Sequence, residues 1–97
     1  MYTATAIFDL LLPGDARSLK AKRGYVRPII AALRRLDVAV AEVDALDLHG
    51  RAGIGVAAVA AEPAHAREVV DACERLVAAR PEVELLSVRR RLHGAED

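Results

Sequence analysis

Leu12-Pro13-Gly14-Asp15-Ala16-Arg17-Ser18-Leu19-Lys20-Ala21-Lys22-Arg23 is the stretch on which the fold turns. It closes an apolar strand, turns, and opens a helix. Pro13-Gly14 stops the strand. Ser18 suits a helix N-cap, because its hydroxyl accepts an N–H that the first turn leaves without a partner. Four basic residues and no acid follow Asp15 within the stretch.

Upstream, residues 2–12 alternate. Ala4, Ala6, Phe8, Leu10 and Leu12 share one face, and Thr3, Thr5, Ile7, Asp9 and Leu11 share the other. A period of two predicts a strand, with the first set turned to the core. Downstream, residues 19–36 read as a helix, with Leu19, Val26, Ile29, Ile30 and Leu33 on one side and Lys20, Arg23, Arg27 and Arg34 opposite. Pro28 has no N–H for the carbonyl of Gly24 and its ring crowds that carbonyl. Gly24, without a Cβ, gives way, so a bend is expected, with a break at Arg27 as the alternative. Lys22 falls on the apolar flank. Its stem is expected to pack while its ammonium reaches out past the end of the sheet.

Residues 38–44 form a second strand with small or apolar residues on both faces. Residues 46–50 form a loop, and residues 52–61 a third strand with Ile54, Val56 and Ala58 on one face and Gly53, Gly55, Ala57 and Val59 on the other. A loop this short predicts an antiparallel hairpin. Pro63 fits the first position of a second helix, which runs to about Arg80. Ala66, Val69, Val70, Cys73, Leu76 and Val77 make its buried stripe, and Arg67, Glu68, Asp71 and Arg75 its solvated face, with Asp71 and Arg75 in the acid-first order of an i,i+4 pair. Pro81 ends it, and residues 83–91 form the last strand.

The order is β-α-β-β-α-β. Right-handed crossovers in both βαβ halves place the two helices on one face of a four-stranded antiparallel sheet. This is an α+β, ferredoxin-like two-layer sandwich, a single domain over residues 1–93 with a polar tail at 94–97. The uncovered sheet face carries Ile7, Leu11, Ala57 and Val59, and an open apolar face suggests a homodimer.

Composition narrows the function. A chain of 97 residues buries roughly two-thirds of its unfolded surface and folds without staples. Apolar residues make up 54%, but only Tyr2, Phe8 and Tyr25 are aromatic, so aliphatic residues build the core. The 14 basic and 14 acidic residues cancel, which argues against nucleic-acid binding by bulk charge alone. One cysteine permits no internal disulfide, no signal segment is evident, and no run approaches a membrane span, so a reducing cytoplasm is expected.

The opening motif, Leu12-Pro13-Gly14 followed by Ser18-Leu19-Lys20-Ala21-Lys22-Arg23, resembles that of the YlxP-like family of small bacterial domains of unknown function. Val40-Ala41-Glu42-Val43-Asp44, Asp47-Leu48, Arg51-Ala52 and Pro81-Glu82-Val83-Glu84-Leu85-Leu86 extend the resemblance over nearly the whole chain. Arg27-Pro28 and Arg89-Arg90-Arg91 look like the actinobacterial form. The resemblance implies a ferredoxin-like fold and no established activity. Its genes commonly lie beside those of translation initiation factor two and a ribosome-binding factor, an association with ribosomes or RNA. This chain departs from the pattern at Asp15, an extra residue in the first turn, at Ala45-Leu46, and at His49-Gly50, where an aromatic and a Gln are frequent.

Seven basic residues and no acid lie between Arg17 and Leu36. Arg17, Lys20, Lys22, Arg23, Arg27 and Arg34, joined by Arg89, Arg90 and Arg91, are the candidate phosphate contacts to structured RNA. The plain alternative is a solvated helix face balanced by Glu42, Asp44 and Asp47. Base stacking as in an RNA-recognition motif is not expected, because the third strand has no aromatic and Phe8 faces the core.

Glu42, Asp44, Asp47 and His49 match no metal-binding spacing. Glu42 and Asp44 are expected to balance Lys22 and Arg51, and Asp47 to cap a turn. Cys73 packs in a helix, His65 and His93 lie at the surface, and the glycines of the third strand are not a phosphate loop. The expectation is a non-enzymatic RNA- or ribosome-associated accessory protein with no metal or cofactor. The alternative is a small dimeric domain that binds a protein or ligand at its subunit interface. Nothing indicates DNA or a membrane.

Overall fold

Ala4, Ala6, Phe8, Leu10 and Leu12 are buried while the residues between them remain partly or fully open, so the first strand has one covered and one uncovered face. In the computed structural model, which describes residues 1–94, the order is β1 (Tyr2–Leu11), α1 (Leu19–Arg34), β2 (Ala39–Asp44), β3 (Arg51–Ala60), α2 (Pro63–Ala78) and β4 (Glu84–His93). The sheet order is β2-β3-β1-β4 with every neighbouring pair antiparallel. Two helices over one face of such a sheet make the ferredoxin-like sandwich that the element order predicts.

The layers meet through Phe8, Leu10 and Ile54 from the sheet and Ile29, Leu33, Val70, Cys73 and Val77 from the helices, all shielded from solvent. α2 packs over β1, β3 and β4, and α1 lies beside β2. This places α1 and β4 at opposite edges, an arrangement that separates two groups of basic residues.

The helix ends follow local chemistry. Ser18 has extended backbone, and its Oγ accepts the Ala21 N–H at 3.0 Å. Pro28 lies inside a continuous α1, so the break at Arg27 does not occur. α1 stops at Arg34, two residues before the expected end. There Leu36 N–H turns back to the Leu33 carbonyl, and Asp37 takes a left-handed φ of 59°. β4 extends to His93, beyond the expected Arg91, because Leu92 and His93 continue the ladder opposite Ala4 and Thr3. The tail expected at residues 94–97 falls, for 95–97, outside the described residues. Among the described residues no helix is long and apolar enough to cross a membrane.

Candidate nucleic-acid interface

Lys20, Arg23 and Arg27 stand on the exposed side of α1 because the apolar stripe occupies the other side. With Gly24 and Pro28 they line an open groove of about 560 Å³. Arg34 continues the row one helix-end away, where a cation also suits the negative end of the helix dipole. From Lys20 to Arg34 the row is roughly 21 Å long at the α-helical rise. Arg17 precedes the helix, and its Nε donates to the Gly14 carbonyl at 3.3 Å. Among the described residues none of these five side chains is in an ion pair, whereas Lys22, Arg80, Arg89 and Arg90 all are.

Lys22 departs from expectation. It is 3% exposed, and its ammonium turns inward instead of reaching past the sheet. Nζ lies 2.7 Å from Glu42 Oε2 and donates to the Ala45 carbonyl at 2.7 Å. The Glu42 contact is a close ion pair off the line of a hydrogen bond. Ala45 sits in the left-handed region at φ 59°. Lys22 therefore ties the start of α1 to the β2–β3 hairpin, and its ammonium is not presented to solvent. The pairing with Glu42 agrees with the charge balance read from the sequence.

Arg89, Arg90 and Arg91 do not extend the α1 row. They lie on the edge strand away from α1, and the period of a strand splits them between faces. Arg90 turns to the helix side, where it pairs with Asp71 at 2.7 Å and Glu74 at 3.6 Å and donates to the Arg67 carbonyl at 3.3 Å. Asp71 thus takes a partner from β4, not the expected Arg75. Arg89 turns to the open face and reaches Asp9 and Asp44. Arg91 is exposed and borders a pocket with Thr5 and Ile7.

The acids of the β2–β3 region diverge in the same way. Glu42 faces Lys22, and Asp44 pairs with Arg89, not with Arg51 as expected. Asp47 and His49 are exposed in the loop, whose turn is closed by the backbone bond from Leu48 N–H to the Ala45 carbonyl at 3.0 Å. Among the described residues no three His, Cys, Asp or Glu side chains converge as a metal site. Asp9 accepts from Ser87 Oγ and from Arg89, which together hold its carboxyl below the usual 3.8. Burial pushes the Cys73 thiol up.

One contact had no forewarning. The Tyr25 hydroxyl donates to the Asp15 carboxylate at 2.8 and 3.0 Å, which gives the extra residue of the first turn a structural task and raises the phenol above its usual 10.0. A tyrosine on the helix seven residues past its cap, above an acid in the preceding turn, was the available signal.

On the open sheet face Ile7 and Ala57 are half-buried and line an apolar groove of about 380 Å³ with Ala39, Ala41, Val43 and Gly55. Leu11 and Val59 are exposed but stand at opposite ends of the face, outside that groove. Val43 joins the groove by alternation with Ala39 and Ala41, and the bulge that follows brings Asp44 opposite Gly53. No match was found among curated proteins. A family model described as "Protein of unknown function (DUF503)" matches residues 3–90, a span that contains α1, its basic row and the whole sheet core. The chain therefore belongs to the DUF503 family.

Proposed function

We propose that this chain is a non-enzymatic accessory protein that contacts structured RNA, in a ribosomal subunit, through α1. The observation that carries the reading is the clustering of cations on one helix face. Lys20, Arg23, Arg27 and Arg34 are exposed along α1, no acid lies in the sequence between Arg17 and Leu36, and among the described residues none of the four is in an ion pair. An acid-free row attracts phosphates even when the whole chain is neutral, because screening confines the field to local charges. A helical stem supplies phosphates along a length matching the row, and no exposed aromatic favours stacked single-stranded bases.

The test is sedimentation of the protein with ribosomal subunits on sucrose gradients at low and high salt. Four phosphate contacts predict an affinity loss of about 100-fold between 50 and 200 mM salt. Protein that stays at the top of the gradient at both salts would count against ribosome association.

A second reading concerns the open face. The apolar groove around Ile7, Val43, Gly55 and Ala57 favours a second copy of this chain as its occupant. Its small side chains let another sheet approach closely, and a formal charge of zero gives two copies no net repulsion. On this reading the protein is a dimeric interaction domain, and the α1 rows of both copies remain outside the interface.

A further inference from the structure

The groove on α1 combines cations with an unusual backbone group. It is lined by Lys20, Arg23, Gly24, Arg27 and Pro28, and both Gly24 and Pro28 are exposed. In an unbroken helix the carbonyl of residue 24 accepts the N–H of residue 28. Proline has none, so the Gly24 carbonyl keeps acceptor capacity that other mid-helix carbonyls have spent. Gly24 and Pro28 both face solvent, so a donor can approach that carbonyl from the outer side, beside the Pro28 ring that crowds it along the helix axis. The groove therefore offers positive charge around one acceptor that the helix does not pair with residue 28.

A backbone phosphodiester alone does not match that pattern, since it brings acceptors and no donor. A phosphate joined to a sugar hydroxyl does. The 2′-hydroxyl of RNA is a donor that DNA lacks, placed one sugar away from the phosphates. Resting on the RNA-contact reading above, we infer that the Gly24–Pro28 groove is a ribose-phosphate subsite. Lys20, Arg23 and Arg27 hold backbone phosphates, and the Gly24 carbonyl accepts a 2′-hydroxyl of a double-helical RNA. Pro28 within α1 is then a device for telling RNA from nucleic acid without the hydroxyl.

The experiment uses the full chain and two fluorescently labelled duplexes of one sequence, one RNA and one with every 2′-hydroxyl replaced by fluorine. The second keeps the A-form and its phosphates but has no donor. Binding is followed by fluorescence anisotropy at low and high salt. One hydrogen bond predicts that the RNA binds about 3- to 10-fold tighter than its fluoro counterpart. Pro28→Ala supplies the missing N–H and improves helix propensity, so it folds. In this variant both duplexes should bind equally, at about the affinity of the wild type for the fluoro duplex. Equal binding of both duplexes by the wild type overturns the subsite and leaves the electrostatic reading intact. A preference that survives in Pro28→Ala also overturns it, because the hydroxyl is then read elsewhere. Binding to neither duplex at low salt overturns the subsite and the RNA-contact reading together.

Discussion

Arg89 on β4 reaches Asp44 on β2 across the two strands between them, with Nη2 2.7 Å from Asp44 Oδ2 and 3.2 Å from Asp9 Oδ1. The row beneath the guanidinium runs Ser87, Asp9, Gly53, Asp44. Glycine is required in the third place, since a Cβ on residue 53 would lie 2.5 Å from Asp44 Cβ. Gly53 thus sets both the close approach of β2 and the flat ground that Arg89 crosses. Gly53→Ala is expected to destabilise the fold by about 1–3 kcal/mol, as overpacking does. Urea unfolding checks this, and Gly55→Ala is the milder comparison because it meets only Val43 methyls, at 3.1 Å and beyond.

The same row predicts an acid dependence. Asp9 has a lowered pKa because Ser87 and Arg89 favour its charged form. A carboxyl depressed in the folded state adds stability that is complete above the unfolded value, about 3.9, and is lost as pH falls through the folded value. Wild type should therefore lose stability below about pH 4 more steeply than Asp9→Asn, which has no carboxyl to protonate. Urea midpoints measured from neutral pH down into this range would show the difference, and parallel curves would contradict it.

Lys22 yields a prediction about partners. Lys22→Met leaves Glu42 in a partly covered site without its cation, at an expected cost of about 1–3 kcal/mol. Glu42→Met in the same chain should recover part of the loss, since two apolar groups need no pairing. Ala45→Gly should stabilise by about 1 kcal/mol, because glycine adopts the left-handed conformation without the Cβ clash. A double-mutant cycle by denaturant unfolding measures the Lys22–Glu42 coupling directly.

Much of this architecture was legible because it rests on periodicity. The alternation of residues 2–12 marked the face that is buried, and the Ser18 cap and the stripe through Ile29 and Leu33 placed α1. The angle of Lys22 put it on the apolar flank, and Glu42 was the acid available to it. Its depth was not legible, since that depends on where the β2–β3 hairpin closes over the helix start. The partners of Arg89 and Arg90 were hidden for a related reason. They depend on sheet order and on bulges in β2 and opposite β1, which bring residues from distant parts of the chain into one row. A triplet that reads as one basic cluster in sequence is two faces in a strand.

The open-face groove predicts self-association. Sedimentation velocity over a range of concentrations is expected to show a monomer–dimer equilibrium. Val43→Asp places a charge at an exposed position on the groove wall, where it should not disturb folding, and Ile7→Asp places one at its floor. Both should shift the equilibrium to monomer, because the charge would be desolvated without a partner. Val59→Asp lies outside the groove and should have a smaller effect. A wild type that is monomeric at the highest concentration contradicts the dimer.

Charge reversal on α1 separates a binding surface from a merely solvated one. Lys20→Glu with Arg27→Glu inverts two members of the row about two helical turns apart on one side, and among the described residues neither is in an ion pair that the change would break. Stability should therefore change by less than about 0.5 kcal/mol, as is usual for surface substitutions. RNA binding should fall by at least about tenfold at low salt, and the dependence of log affinity on log salt should flatten by about 2. The matching control is Arg90→Glu, which disturbs the Asp71 and Glu74 pairs at the opposite edge of the sheet from α1. It should lower stability and leave RNA affinity unchanged, because Arg90 belongs to the fold and not to the α1 row. If the two variants weaken RNA binding equally, the contact is general electrostatics and not this helix.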